Sequence, residues 1–484
     1  MSPNPLGKQL FSGVVITSAT KYLGLIIGLV ISAILARLLS PAEFGIVAIT
    51  TVFISFFNIL GDIGIAPSIV QNKSLTNLDI KSIFLLTIII AISLSIFFFL
   101  IAPLVGNFYD SVPLINLCRL LSIAIFFNII KIVPQAVLIK NLQFKKLGLL
   151  SLIAQLIAGV IGIYLAYLGY SFYALVYRSI AMSFLFFLFL FFLNPVTPVA
   201  VSKDSINKIK SFSSFQFLFN TINYFSRNLD NILIGKYLGK SSLGYYEKSY
   251  YLMTLPLQNL THVLTPVMHP VLSNFQDDKN RIYSSYKIIS RMLSIIGFPL
   301  SVFLFFSASD IILIIYGSQW VESIPVFKVL ALSVGLQVVL SSSGSIYQAV
   351  NRTDLLFFSG ALAAIVMLSS ISLGVFCFGN LVAIGYCLLG AFTFNFFQCY
   401  IILINKALDE SIVDYLKIFF IPLLSSICLF AILYFFSSWM GSFKNIYFSL
   451  FTKAIITVLT VVPFIFFSKS NKELISKYVL KNKF

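Results

Sequence analysis

The chain runs to 484 residues, 59% of them apolar and only 10% charged, with 51 phenylalanines. Soluble domains carry about 25% charged residues, so the composition excludes a soluble globular protein and implies an integral membrane one. The formal net charge of +17 does not signal nucleic-acid binding, because most Lys and Arg residues fall in short connections between apolar runs, where they set membrane orientation.

At about 20 apolar residues per crossing, the pattern predicts an all-α integral membrane protein with about fourteen transmembrane helices. The first six lie near Phe11–Leu39, Ala42–Val70, Ile80–Val105, Val112–Leu138, Leu147–Gly169 and Tyr173–Leu193. A polar break with two prolines and three lysines, Asn194–Lys210, reads as a linker. Six more spans follow near Phe212–Leu238, Tyr245–Leu272, Ile288–Phe306, Ile324–Val350, Leu355–Phe378 and Leu381–Leu403, and two further ones near Val413–Phe436 and Ile446–Phe467. Segment Ser307–Ser323 is too short to cross and is expected at an interface. The organisation implied is a six-helix bundle over residues 1–205, a second over 206–410, and two extra helices with a basic tail over 411–484. The start of the chain has no basic region, short apolar run and cleavage site, so the first span is expected to stay in place.

Lysines such as Lys140, Lys145, Lys146, Lys203, Lys208 and Lys210 crowd one set of connections. The other set holds only Arg37, Lys236, Lys240, Lys248, Lys328 and Lys444. That asymmetry predicts both termini in the cytoplasm. The five cysteines all lie in apolar runs without a CxxC pair and read as small buried hydrophobes.

The halves look related. Ala36–Gly45 matches Gly235–Gly244 at a constant offset of 199, pairing Arg37 with Lys236, Leu39 with Leu238 and Gly45 with Gly244. Pro113–Ser122 resembles Pro325–Ser333, and Lys140-Asn141 recurs as Asn351-Arg352. Six spans separate equivalents, so the repeats point the same way through the membrane. Two parallel-related bundles follow, with a site between them.

The most informative stretch is Ser211–Gly239. On a helix at about 100° per residue, Ser213, Gln216, Asn220, Asn223, Arg227, Asp230 and Asn231 share one sector. A central charge in lipid costs roughly 2.5–3.5 kcal/mol, so such groups turn toward protein or a wet cavity. One reading is a polar pathway; the other is a packing seam in which Arg227 and Asp230 neutralise each other. In the first span Thr17, Lys21, Gly24, Gly28 and Ser32 form a second polar face, which small-residue packing also explains apart from Lys21.

The charges within apolar spans are Lys21, Asp62, Arg119, Lys131, Arg178, Arg227, Asp230 and Lys453. The cationic surplus suits an anionic substrate rich in acceptor oxygens. Lys21, Lys131, Asn220, Asn223, Arg227, Asn231, Arg119 and Arg178 are therefore the candidate cavity-lining residues. Arg119 and Arg178 are placed so that they can instead snorkel. Asp230 and Asp62 are the candidates for H⁺ or Na⁺ coupling, each with a plain ion pair as the alternative. Lys453 reads as snorkelling or packed. His262 and His269 lack a third ligand, so they make a poor metal site, and no Walker, GxSxG or HExxH motif occurs. No cofactor, metal or catalytic residue is expected.

LARLLSPAEFGIVA (35–48), FNILGDIGIAPSIVQ (57–71), NYFSRNLDNILIGKYLGKSSLGYYEKSY (223–250) and YGSQWVESIPVFKVLAL (316–332) carry a resemblance over nearly the whole chain. It is similar to the polysaccharide-synthesis flippases of the multidrug/oligosaccharidyl-lipid/polysaccharide exporter superfamily, most of all the colanic-acid-exporter type of Wzx flippase. The resemblance implies alternating access between two six-helix bundles in the bacterial inner membrane. It also implies an undecaprenyl-diphosphate-linked oligosaccharide substrate for surface polysaccharide, with membrane lipids and polysaccharide polymerase machinery as partners, and no enzyme activity. A peptidoglycan-precursor flippase, a multidrug exporter of the same fold and a membrane polysaccharide polymerase stand as alternatives.

Overall fold

The computed structural model describes residues 5–62, 64–206, 224, 228–273, 278–439 and 445–467; for 5–17, 260–273, 439 and 465–467 it describes the backbone alone. Every regular element among them is helical, so the all-helical membrane class is borne out. Among the described residues eleven helices are long and apolar enough to cross a membrane, or twelve when Ser323–Ala331 and Val334–Ala349, bent by 43°, count as one. These twelve correspond to twelve of the fourteen expected spans. Most of the seventh span lies outside the described residues. The eighth is a helix, Lys240–Ser273, whose fully described part is too polar to qualify. Exposed Ile96, Phe97, Leu100 and Leu104 on one helix, and Phe435, Phe451 and Leu459 on two others, would be a liability in water and are what a bilayer-facing surface requires.

The chain divides into two compact units, Met1–Gly244 and Tyr245–Phe484. The first holds α1 (Pro5–Leu38), α2 (Pro41–Asp62), α3 (Ile65–Gln71), α4 (Asn77–Phe108), α5 (Val112–Ile130), α6 (Ile132–Lys140), α7 (Phe144–Tyr167), α8 (Tyr173–Leu193) and α9 (228–237). Two expected spans are broken. The run Ala42–Val70 is apolar enough to read as one helix, but Gly64 takes φ 75° and separates α2 from α3, a conformation that glycine adopts without a Cβ penalty. The Asp62 carboxylate accepts the Ala66 N–H at 3.0 Å, satisfying a donor that the new helix start leaves open. The fourth span breaks at Lys131, between α5 and α6. Pro134 brings no N–H to bond back to Ile130, and its ring crowds that turn. The short α3 and α6 then pack together through Ile65, Ile69, Val133 and Ala136.

Helix α1 lies along α7. Gly24 and Gly28 meet Gln155, whose amide donates to the Gly24 carbonyl at 2.8 Å. Much of the small-residue face of the first span is thus spent on helix packing. At the start of α2, Gly45 and Gly244, the two residues that the repeat pairs, make a reciprocal contact. A Cβ on Gly45 would meet the Lys240 carbonyl oxygen at 1.7 Å, and one on Gly244 would meet that of Pro41 at 2.1 Å. Pro41 and Lys240 are themselves equivalents at the same offset.

The second unit holds α10 (Lys240–Ser273) from Tyr245 onward, α11 (Lys279–Phe306), α12 (Ala308–Ile315), α13 (Ser323–Ala331), α14 (Val334–Leu340), α15 (Ser343–Ala349), α16 (Thr353–Leu373), α17 (Leu381–Ile401), α18 (Ile412–Leu416), α19 (Phe420–Trp439) and α20 (Ile446–Phe467). α12 is only 8 residues long, as expected for a segment that does not cross. Left-handed turn residues recur in the two units at nearly constant spacing, Leu142 with Asn351 and Gly169 with Gly379, which fits a shared ancestral plan. Where the tenth span is interrupted, Ser341 and Ser342 turn their hydroxyls onto the Val338 and Val339 carbonyls, covering groups that a break exposes. On the exposed rim Lys279 bonds Asp409 at 2.7 Å. That bond holds the Asp409 carboxyl below the usual range, although a solvated pair adds little stability.

Tyr286, Tyr400 and Tyr415 are fully buried. Tyr286 and Tyr415 stack at 5.8 Å, Tyr415 bonds Ser290 at 2.6 Å, and Tyr400 donates to the Val339 carbonyl at 3.1 Å. The short α18 is fastened to α11 this way. Tyr415→Phe keeps the ring and removes the bond to Ser290, so thermal unfolding in detergent should reveal a loss of about 1 kcal/mol. An unchanged Tm would show that the bond is dispensable.

Candidate functional site

The break in the fourth span places Lys131, one of the candidates, in a polar setting. Lys131 closes α5, and its ammonium donates to the Asn128 side-chain carbonyl one turn earlier. It also lies 5.6 Å from the centre of the Phe186 ring on α8, a favourable place for a cation. The Ser183 hydroxyl approaches the same Asn128 oxygen at 3.2 Å. Lys131 is half-buried and forms no ion pair among the described residues. An ammonium has three donors, and one amide occupies one of them. The arrangement offers the remaining ammonium donors to an anion, while the Ser183 hydroxyl is held by the Asn128 oxygen and the Ser179 carbonyl.

Asp62 and its neighbourhood adjoin this corner. The α-carbon of Gly61 sits against Ile129, the residue after Asn128; a Cβ there would come within 2.4 Å. One turn before Gly61, Asn58 has a buried side-chain oxygen with no hydrogen-bond partner among the described residues. Buried polar atoms left so are uncommon. Sequence reasoning passed over Asn58, Asn128 and Ser183. Asn128 was findable, being three residues from Lys131 on one helix.

The other candidates are dispersed. Arg119 is exposed, with its guanidinium 5.3 Å from the Phe99 ring centre. Twelve residues of α5 put it about 18 Å along the axis from Lys131. The aliphatic stem of Arg178 packs over Gly162 of α7, and the residue is half-buried. Lys21 is exposed on α1. Asp230 is only 4% exposed, and its carboxylate accepts the Asn231 N–H at 2.8 Å. Asn231 is half-buried, with a buried amide oxygen that has no partner among the described residues. Tyr224, whose hydroxyl donates to the Val52 carbonyl of α2, precedes this helix in the chain. Asn220, Asn223 and Arg227, the side chains of His262 and His269, and the basic tail lie outside the described residues. Lys453 is packed: it pairs with Asp310 at 2.6 Å. No group of three or more His, Cys, Asp or Glu side chains placed to hold a metal occurs among the described residues.

An all-helical chain with at least eleven apolar spans is a multi-pass membrane protein, and its fold is shared with a flippase. The inward closed conformation of the lipid II flippase MurJ matches 96% of this chain and 100% of its own, with TM-score 0.73 at 15% identity. The chain belongs to the family described as polysaccharide biosynthesis protein, whose model matches residues 34–325. It is 25% identical over 403 residues to the lipopolysaccharide biosynthesis protein WzxC of Escherichia coli (strain K12), covering 82% of this chain and 81% of that protein. It is also 25% identical over 360 residues to the teichuronic acid biosynthesis protein TuaB of Bacillus subtilis (strain 168), covering 73% and 74%. The resemblance drawn from the sequence is borne out.

Proposed function

We propose that this protein is a flippase and exporter that carries an undecaprenyl-diphosphate-linked oligosaccharide across the bacterial inner membrane for surface polysaccharide, with both termini in the cytoplasm. Membership of a polysaccharide biosynthesis family and similarity to WzxC and TuaB support the substrate class. The observation that carries the mechanism is Lys131, a half-buried cation set among an amide, a hydroxyl and an aromatic ring. Diphosphate oxygens complete its donor set, while the polyprenyl tail stays in hydrocarbon. Alternating access then passes the head group from one side to the other, with Arg227, Asn220 and Asn223 as further contacts. Asp230 and Asp62 are the carboxylates that would couple the cycle to H⁺ or Na⁺. A multidrug exporter of the same fold selects cations, which Lys131 disfavours.

Reconstitution in vesicles with a defined lipid-linked oligosaccharide tests this. Wild-type protein should exchange the substrate between leaflets, and Lys131→Gln should reduce the rate about tenfold or more, the worth of one desolvated charge-assisted bond. Incorporation into the vesicles should be unaffected. Full exchange by Lys131→Gln would remove that residue from the mechanism, and no exchange by the wild type would remove the function.

A further inference from the structure

Helices α19 and α20 stand outside the sequence repeat and pack on α11. Beside them lies a cavity of about 470 Å³ lined by Phe305, Phe306, Lys328, Phe430, Tyr434 and Lys453. Volumes of this order accept a small ligand or a lipid head group.

The two lysines differ. Lys453 is 9% exposed and internally matched. It bonds the Asp310 carboxylate at 2.6 Å and the Phe306 carbonyl at 3.0 Å, and Asp310 also accepts from Ser449 at 3.0 Å. Lys328 is half-buried, and no hydrogen bond, ion pair or ring contact is formed by its ammonium with any described residue. Among the described residues the cavity therefore carries one positive charge without a protein counter-ion, set among aromatic walls, which suits an anion.

Two further features define the anion. Phe430 and Tyr434 are 41% and 56% exposed, so this wall opens onto the surface that faces hydrocarbon. The exposed Ser437 hydroxyl, also in the lining, has no partner among the described residues and supplies a second donor.

We propose that this cavity binds an anionic membrane phospholipid. Its phosphate is held by Lys328 and Ser437, and its first acyl carbons lie along Phe430 and Tyr434. Free phosphate satisfies the same donors but leaves the aromatic wall uncovered.

Binding can be measured by native mass spectrometry of the delipidated full-length protein in detergent, titrated with phosphatidylglycerol, phosphatidylcholine or inorganic phosphate. Phosphatidylglycerol should bind about tenfold more tightly than phosphatidylcholine, the margin expected for one charge-assisted contact. Lys328→Gln should remove that margin and Lys328→Arg should keep it, both with the wild-type Tm. Equal binding of the two lipids, or a margin that survives Lys328→Gln, overturns the proposal. Competition by millimolar inorganic phosphate that displaces the lipid shows a free-phosphate site and overturns it as well.

Discussion

Lys453→Met alone should destabilise the protein by about 3–5 kcal/mol, because it leaves the Asp310 carboxylate buried without its cation. Both side chains are 11% exposed and their charged atoms are 2.6 Å apart. Asp310→Leu alone should cost a similar amount, leaving the ammonium with only the Phe306 carbonyl. The double variant should recover most of the loss, since replacing a whole buried pair by apolar residues is often close to neutral. Thermal unfolding of the four proteins in mild detergent measures the coupling. Simple addition of the two single losses would show that the pair is not energetically linked. The ion pair ties α20 to α12, so the singles should also loosen the last span.

Gly45→Ala and Gly244→Ala should each fail to accumulate, or should unfold at a much lower temperature. The added methyl groups would stand 1.7 Å and 2.1 Å from backbone carbonyl oxygens, whereas a close C···O contact is about 3.3 Å or more. A flexible side chain rotates away, but these obstacles are main chain, so the start of α10 must back off from α2 by more than an ångström. Overpacking of this kind costs about 1–3 kcal/mol and upward. Gly360→Ala is the matched control, because nothing lies within 4 Å of its added methyl. There the lower entropy of the unfolded chain should make the change neutral or stabilising by up to about 1 kcal/mol. Equal behaviour of all three variants in a thermal-stability screen would contradict the close crossing.

Twelve spans were legible because a crossing needs a long apolar run, and that requirement is written locally in the chain. The interruption between α2 and α3 was not, since Ile63, Ile65 and Ala66 continue the apolar pattern while Gly64 turns the backbone. Asp62 looked like an intramembrane acid awaiting a proton or an ion; the structure gives its carboxylate a backbone N–H to hold. The Lys131 corner was half visible. Asn128 shares its helix, but Ser183 and Phe186 arrive from α8 more than 50 residues away, and only tertiary packing brings them there. Asp310 as the partner of Lys453 lies 143 residues off in sequence, beyond any periodicity. The repeat read from Gly45 and Gly244 gained physical weight, because those residues touch each other reciprocally.

Helix α10 is the least apolar of the long helices, and it leans on a segment made later. Ser249 donates to the Ser323 carbonyl at 3.0 Å, across 74 residues of chain, and the Tyr245 ring meets Trp320 edge-on at 6.0 Å. During synthesis such a helix gains little by partitioning into lipid alone. Its partners on the later segment exist only once α13 has left the ribosome, so the order of synthesis should bear on how the second unit is built.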